Sequence, residues 1–184
     1  AVVEEELIRH GVSVFTSFSV SGISSSADQL IVHSKEGRAL AADMILVAAG
    51  NRPETSLALT AGITTGFKNA ICVNRKMETN LQDVYAAGDC VETYSRLLGK
   101  NIYLPLGSTA YKQGRIAGEN AAGGSREYEG SLGTQSVKIF NLVAARTGLK
   151  DGEALKEGFE PLSVDLETWD HKVYYPRATK MLIR

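Results

Sequence analysis

Gly88-Asp89 is the first candidate for chemistry, because it places a carboxylate directly after a glycine where a predicted strand ends. Residues 83–87 have the composition of a short strand. A carboxylate is a strong hydrogen-bond acceptor, and a glycine lets another group approach the backbone closely because it has no Cβ. Taken alone, the pair also fits a simple turn that the aspartate caps.

The second candidate is the N-terminus of a helix predicted over residues 108–122. Its alanine, glutamine and arginine content favours a helix, and Gly123-Gly124 ends it. Ser108 or Thr109 is the expected N-cap. A helix N-terminus carries free N–H donors and about half a positive charge, which suits a group that carries or gains negative charge. An ordinary capped surface helix is the alternative.

The two cysteines, Cys72 and Cys90, form neither a C-x-x-C redox pair nor half of a C-x-x-C metal site. We expect both to be small buried hydrophobic residues, and we expect no metal. His10 and His33 are assigned no chemistry, because a helix end and a hairpin account for them.

The composition is that of a globular protein: 184 residues, 43% hydrophobic and 22% charged. A chain of this length makes one or two domains and buries a sizeable core. The net charge of −1 argues against a nucleic-acid partner or an anionic membrane surface. No apolar run approaches the ~18 residues of a membrane-spanning helix. We therefore expect a cytoplasmic protein with no membrane partner.

The first part of the chain is predicted to alternate helix and strand up to a boundary at Pro53. A helix ends at Gly11 and a strand follows at 12–15. Three short strands then form a meander, at 18–23, 29–33 and 38–41. The continuously apolar run 44–49 is typical of a strand buried on both faces of a parallel sheet. Because the chain has no initiator Met and opens inside a helical pattern, we expect further sequence around it.

Two further parts follow, divided at Gly123-Gly124. Before this glycine pair the sequence predicts a helix at 54–61 and strands at 70–73 and 83–87, followed by the helix at 108–122. After it come a short helix and several strands; the helix is predicted at 151–157 and the strands at 136–140, 162–166, 173–175 and 181–184.

The segment from Thr79 to Asp89 has the pattern T-x-x-x-x-V-Y-A-x-G-D. It resembles the second flavin-binding motif of the FAD-dependent pyridine nucleotide-disulfide oxidoreductases. The resemblance implies that Asp89 accepts a hydrogen bond from a ribityl hydroxyl of FAD. It also implies that Gly88 lets the backbone approach the cofactor without a Cβ in the way.

Two flanking segments extend the resemblance. Residues 43–53 have the pattern D-x-h-h-x-A-x-G-x-x-P, in which h is apolar. This pattern is similar to the segment by which the chain leaves the family's NAD-binding domain. The resemblance implies that Gly50 lies near the dinucleotide. The segment after Tyr103 is similar to the start of the helix that points its N-terminus at the isoalloxazine. Its implied cofactor-binding residues are Pro105, Leu106, Gly107, Ser108, Thr109 and Ala110. Such a helix stabilises anionic reduced flavin.

The last part narrows the resemblance to one branch of the family. Residues 138–149 resemble the start of the dimer-interface domain of NADH oxidases, NADH peroxidases and coenzyme A-disulfide reductases, which implies a homodimer. Residues 171–176 are similar to the H-x-x-Y-Y-P segment of the reductases, although Arg177 replaces the usual glycine. The resemblance implies that Tyr174 and Tyr175 are catalytic and donate a hydrogen bond or proton to a thiolate of the partner subunit. Alternatively, adjacent tyrosines in a strand belong to the core and its rim.

The resemblance implies an α/β fold: a partial FAD/NAD(P)-binding two-domain fold plus a truncated α+β dimerisation domain. Its expected parts are the C-terminal half of the NAD(P)-binding domain at 1–53, a returning segment of the FAD-binding domain at 54–124 and the start of the interface domain at 125–184. The two G-x-G-x-x-G turns and the single redox cysteine of the family are expected before Ala1.

The implied function is electron transfer from NAD(P)H through FAD to a disulfide such as coenzyme A disulfide, or to oxygen or peroxide. Two alternatives stay open. In the first alternative, the protein is an NADH oxidase and not a disulfide reductase. In the second, the isolated chain is a non-catalytic module that dimerises and binds flavin only in part.

Overall fold

The computed structural model describes residues 2–26 and 28–184; Ala1 lies outside the described residues, and so does Ala27, which falls in the predicted turn at 24–28. Four α-helices, one short 3₁₀ helix (Phe67–Asn69) and nine strands occur in the described part. The α-helices are α1 (Val2–Arg9), α2 (Ser56–Thr60), α3 (Gly107–Ala121) and α4 (Asp151–Lys156). The strands are β1 (Val20–Ser26), β2 (Gln29–Ser34), β3 (Ala39–Ala42), β4 (Thr93–Ser95), β5 (Lys100–Ile102), β6 (Gln135–Ile139), β7 (Leu142–Arg146), β8 (Leu166–Trp169) and β9 (Lys180–Ile183).

The predicted opening helix and meander are confirmed. Helix α1 ends two residues before Gly11, whose φ of 79° suits a glycine after a helix end. Strands β1, β2 and β3 form an antiparallel sheet in which Leu30 pairs with Ala42 and Ser25. The order β1-β2-β3 follows from the short polar turns, because a short turn lets strands that are adjacent in sequence pair with each other.

Two predicted strands of the first part are wrong. Residues 12–15 and 44–49 form no strand, and Met44, Leu46 and Val47 are each more than 70% exposed. A strand of a parallel sheet takes its hydrogen bonds from neighbours on its sides. Every sheet among the described residues is antiparallel and pairs other segments, so neither run has a partner strand.

The core lies between the segment 70–91 and helix α3. Its buried side chains form one cluster, which consists of Ile71, Val73, Met77, Val91, Ile116 and Tyr128. The predicted strands at 70–73 and 83–87 are present only as isolated bridges: Ile71 bridges Thr65 and Val91, and Tyr85 bridges Glu78. Positive φ values at Met77 (64°) and Asp83 (61°) bend the chain between them, which prevents a longer ladder.

Helix α3 is confirmed, but its predicted N-cap is wrong. The helix begins at Gly107, so Ser108 and Thr109 lie inside the first turn and Leu106 takes the N-cap position without a side-chain hydrogen bond. Thr109 is buried, since its position in the turn faces the core. Gly123, with a φ of 93°, follows the C-terminus of the helix.

In the last part, β6, α4 and the final strand agree with the predictions, β7 was not predicted, and two predicted strands are absent. Leu162 is fully exposed and lies before β8, and residues 173–175 lie in the connection between β8 and β9. Leu166 pairs with Ile183 and Trp169 with Lys180. Residues 173–175 lie between Trp169 and Lys180, so they belong to the loop that connects the two strands. No helix among the described residues is long and apolar enough to cross a membrane. The proposed division at Pro53 and Gly124 stays a prediction.

Candidate functional site

The loop at Gly88-Asp89 packs directly on the first turns of α3. The Gly88 backbone N–H donates a hydrogen bond to Oε1 of Gln113 at 3.1 Å. A Cβ on Gly88 would lie 3.9 Å from the Cβ of Ala110, and the φ of 96° at Gly88 belongs to the region that favours glycine. The structure therefore brings together two predicted site segments that lie about twenty residues apart in sequence.

Gln113 is the residue that joins these segments, and the sequence analysis missed it. Its side chain is fully buried, and its Nε2 donates a hydrogen bond to Thr93 Oγ1 at 3.1 Å. Both ends of the amide are therefore satisfied, one by the Gly88 loop and one by β4. The available signal was its position one turn after Ala110, which puts both residues on the same face of α3.

The N-terminus of α3 is open. Gly107 and Ser108 are exposed, and among the described residues no side chain caps the first N–H groups. Together with the β6–β7 hairpin, the first turn lines a cavity of about 630 Å³, into which Lys150 and Arg146 also face. This end of the helix offers N–H donors and a partial positive charge to a bound group. Of the other predicted residues, Pro105 and Leu106 are half-buried immediately before the helix.

Asp89 is also open. Its side chain is exposed and accepts no hydrogen bond from the residues that the structure describes. Nearby, the Tyr103 hydroxyl is buried and has no hydrogen-bond partner among the same residues. Burial raises the pKa of Tyr103, and the negative charge of Asp89 adds to this effect. This arrangement fits the flavin contacts that the family resemblance implies. The Asp89 carboxylate can accept hydrogen bonds from hydroxyl groups, and the N-terminus of α3 can stabilise negative charge.

Asn120 fixes the other end of α3. Its Nδ2 donates to the backbone oxygens of Lys76 and Arg126, both at 2.8 Å, and its Oδ1 accepts from the Arg126 N–H at 2.7 Å. The side chain is almost fully buried, so these bonds are shielded from water. Asn120 and Gln113 together attach the helix to the segments before and after it.

Both cysteines are partly buried beside the core. The Cys90 thiol donates a weak hydrogen bond to the Ala87 oxygen at 3.5 Å. Burial raises the pKa of the Cys72 thiol, and the neighbouring Glu92 carboxylate raises it further. Both effects favour the protonated, unreactive form of Cys72. Among the residues described, no group of three or more histidines, cysteines and carboxylates is placed to hold a metal ion.

Gly50 lies apart from these contacts. It follows the exposed run 44–49, its φ is 90°, and no atom lies within 4 Å of the position that a Cβ would take. The backbone conformation requires a glycine there, but nothing in the described residues tests its predicted place beside a dinucleotide.

Tyr174 and Tyr175 lie in the β8–β9 connection and are exposed. Their rings stack on each other with centroids 5.0 Å apart, and the ammonium group of Lys172 lies 5.9 Å from the Tyr174 ring. The Tyr175 N–H donates to the Lys172 oxygen at 2.9 Å, which holds the turn. Within the described residues, neither tyrosine belongs to a core or its rim. Their predicted catalytic role stays a prediction.

Comparison with known proteins identifies the family. Residues 1–114 match the family model described as pyridine nucleotide-disulphide oxidoreductase. The NAD(P)H sulfur oxidoreductase (CoA-dependent) of Pyrococcus furiosus is 36% identical over 149 residues, which are 81% of this chain and 34% of that protein. The NADH oxidase of Methanocaldococcus jannaschii is 35% identical over 148 residues, 80% of this chain and 33% of that protein. The chain thus spans about a third of the length of these curated relatives.

Solved structures agree with this match. A NAD-dependent persulfide reductase from A. fulgidus superposes with a TM-score of 0.92 at 36% identity, covering 98% of this chain and 33% of that one. A FAD-dependent pyridine nucleotide-disulphide oxidoreductase from Desulfovibrio vulgaris gives a TM-score of 0.79 at 32% identity, covering 99% of this chain and 44% of that one. The likeness confirms the predicted partial α/β fold. The chain belongs to the pyridine nucleotide-disulphide oxidoreductase family.

Proposed function

We propose that the protein containing this chain transfers electrons from NAD(P)H through FAD to a disulfide or persulfide of the coenzyme A type. The observation that carries the proposal is the open pair formed by the Asp89 carboxylate and the uncapped start of α3, which Gln113 holds together. These are the two polar features that a flavin needs from this part of the fold.

The residues around Asp89 and the start of α3 have separate roles in binding the flavin. When bound, FAD supplies the two-electron chemistry that connects a nicotinamide with a sulfur acceptor. Asp89 accepts a hydrogen bond from a ribityl hydroxyl, and Gly88 leaves room for the cofactor beside the backbone. The first turn of α3, from Gly107 to Ala110, stabilises negative charge at the pyrimidine edge through its free N–H groups. Pro105 and Leu106 position this turn, and Gly50 faces the nicotinamide dinucleotide.

The acceptor side is assigned to the β8–β9 connection. We propose that Tyr174 or Tyr175 donates a hydrogen bond or a proton to a thiolate that leaves the acceptor, a step for which a phenol has a suitable donor. Their exposure supports a role toward a group outside the described chain. This role requires a homodimer in which the tyrosines approach the partner subunit, and we place the enzyme in the cytoplasm.

A second candidate function is reduction of oxygen or peroxide by an NADH oxidase. The similarity to the Methanocaldococcus jannaschii protein of that name favours it. The isolated chain, in contrast, would act only as a dimerising module with part of a flavin site, because the G-x-G-x-x-G turns are absent from its sequence.

The test is purification of the full-length protein that contains this chain, followed by flavin analysis and turnover assays. We expect bound FAD and NAD(P)H oxidation with coenzyme A disulfide or a coenzyme A persulfide. Faster turnover with oxygen or peroxide would favour the second candidate. A protein with neither flavin nor NAD(P)H turnover would contradict both.

A further inference from the structure

A contact between α1 and the β6–β7 hairpin joins the beginning of the chain to its last third. The imidazole of His10, directly after α1, stacks on the ring of Phe140 at the hairpin tip. The ring centroids are 4.0 Å apart and the planes differ by 5°. His10 was assigned no chemistry from the sequence because its place at a helix end accounts for it, and a partner as distant as Phe140 leaves no local pattern.

Glu6 supplies the polar half of the same contact. Its carboxylate is 5% exposed; Oε1 accepts the Asn141 backbone N–H at 3.2 Å and Oε2 accepts from Arg9 Nη1 at 2.7 Å. His10 Nδ1 donates to the Glu6 backbone oxygen at 2.9 Å, which orients the imidazole toward Phe140. A buried carboxylate is stable only when its oxygens are paired in this way.

Phe140 adopts a backbone conformation that its side chain disfavours. It is the first residue of the two-residue turn between Ile139 and Leu142, and its φ is 50°. Turns with a positive φ at this position favour glycine, and a bulky aromatic residue is an outlier there. A strained backbone conformation persists only where contacts with surrounding residues stabilise it. The stacking on His10 is the contact of the Phe140 ring that accounts for its presence in this turn.

The other end of the hairpin lies at the candidate flavin site. Its base, residues 135–137 and 144–146, lines the same cavity as Leu106, Gly107 and Ser108 at the start of α3. The hairpin is about five residues long on each side, so its tip and base belong to one rigid ladder. A group attached at the tip is therefore held at a set distance from the N-terminus of α3.

We propose that Glu6, His10, Phe140 and Asn141 form a clasp that positions the nicotinamide-binding part of the protein for hydride transfer to the flavin. The inference rests on the proposed function, because α1 lies in the part assigned to NAD(P) binding. The clasp residues touch neither cofactor nor substrate; they are positioning residues. Opening the clasp leaves the flavin contacts at Asp89 and α3 in place and lets the nicotinamide-binding part move away from them.

The test uses the full-length protein with its FAD and measures the rate at which NAD(P)H reduces the flavin without oxygen. Phe140→Gly removes the ring and relieves the strained turn, so folding is not endangered. We expect it and His10→Ala to slow flavin reduction about tenfold, because small misplacement of reacting groups is costly. The double variant should be no slower than either single one. His10→Phe keeps the stacking and should restore most of the rate.

Phe159→Ala is the matched control, since Phe159 has nearly the same exposure as Phe140 and lies outside the clasp. Its reduction rate and the flavin content of every variant should equal those of the wild type. Rates within about twofold of wild type in both clasp variants, or additive losses in the double variant, would overturn the proposal.

Hydrogen exchange of the same proteins separates the clasp from the proposed function. Phe140→Gly should accelerate exchange in α1, and His10→Ala should accelerate it in residues 139–142, whether or not a nicotinamide reduces the flavin. A wild type that NAD(P)H cannot reduce would count against the proposed function alone. Unchanged exchange in α1 would overturn the clasp.

Discussion

The side-chain amide of Gln113 accepts a hydrogen bond from the Gly88 N–H at 3.1 Å and donates one to Thr93. One buried side chain thus joins a loop, a helix and a strand, and it sets where the Asp89 carboxylate stands relative to the start of α3. Neither end of this amide can be removed without leaving a buried polar group unpaired.

Replacement of Gln113 should therefore weaken both stability and flavin binding. We expect Gln113→Leu to cost about 1–3 kcal/mol in the free energy of unfolding, because the Gly88 N–H and the Thr93 hydroxyl lose their partner. Denaturant unfolding of the full-length protein measures this loss. Gln82→Leu, at an exposed position, is the control and should change little. Equal stability of the two variants would contradict the bridging role.

Asp89 should matter for flavin and little for folding. Its exposed carboxylate has no hydrogen bond to lose in the described chain, whereas its bond to a ribityl hydroxyl would be charge-assisted. We expect Asp89→Asn to weaken FAD binding about tenfold with an unchanged unfolding midpoint. Fluorescence of released flavin at graded dilution measures the affinity. Asp83→Asn is a control whose positive φ suits asparagine, and a similar loss there would count against the assignment.

Asn120 should be among the costliest polar positions to change. Asn120→Ala removes three hydrogen bonds between its amide and the Lys76 and Arg126 backbones. We expect a loss of about 2–4 kcal/mol, measured as a shift of the denaturant midpoint. Asn51→Ala, at an exposed position, should stay within about 0.5 kcal/mol of the wild type. A small loss at Asn120 would mean that water replaces the three bonds.

Cys72 should make stability fall with rising pH in the alkaline range. Burial and Glu92 raise the pKa of this thiol in the folded state, so the folded protein holds the proton more tightly than the unfolded chain does. Its contribution is fully present below the ordinary thiol pKa and is lost as the pH rises through the folded-state pKa. Cys72→Ser should flatten this part of the stability profile, measured by unfolding at a series of pH values.

The role of Glu92 in this effect has its own variant. Glu92→Gln removes the negative charge and keeps an oxygen for the Phe67 N–H, which donates to the carboxylate at 2.9 Å. Alkylation of Cys72 should then begin at a lower pH than in the wild type. An unchanged alkylation profile would show that burial alone raises the pKa.

The tyrosine pair should affect the acceptor step and leave the nicotinamide step unchanged. If a phenol donates the proton to the leaving thiolate, the double variant Tyr174→Phe/Tyr175→Phe should lower kcat with the disulfide about 100-fold, with flavin reduction by NAD(P)H unchanged. Tyr111→Phe, at another exposed tyrosine, is the control. Full activity of the double variant would leave the pair without a catalytic task.

Several elements could be predicted because their causes are local. The meander from β1 to β3 follows from short apolar runs and polar turns, and α3 follows from its helix-forming residues and the glycines after it. The predicted strands at 44–49 and 173–175 failed for a different reason. A strand exists only when another strand pairs with it, and pairing depends on the path of the whole chain.

The candidate site divides in the same way. The sequence by itself determined the motif at Gly88-Asp89 and the helix that begins after Leu106, because a few adjacent residues specify each of them. Only the tertiary structure decided that Gln113 bonds to Gly88, that no side chain in the described part of the chain caps α3 and that His10 stacks on Phe140. These contacts join residues that are distant in the chain, and their free energy is gained only after the intervening segments have folded into place.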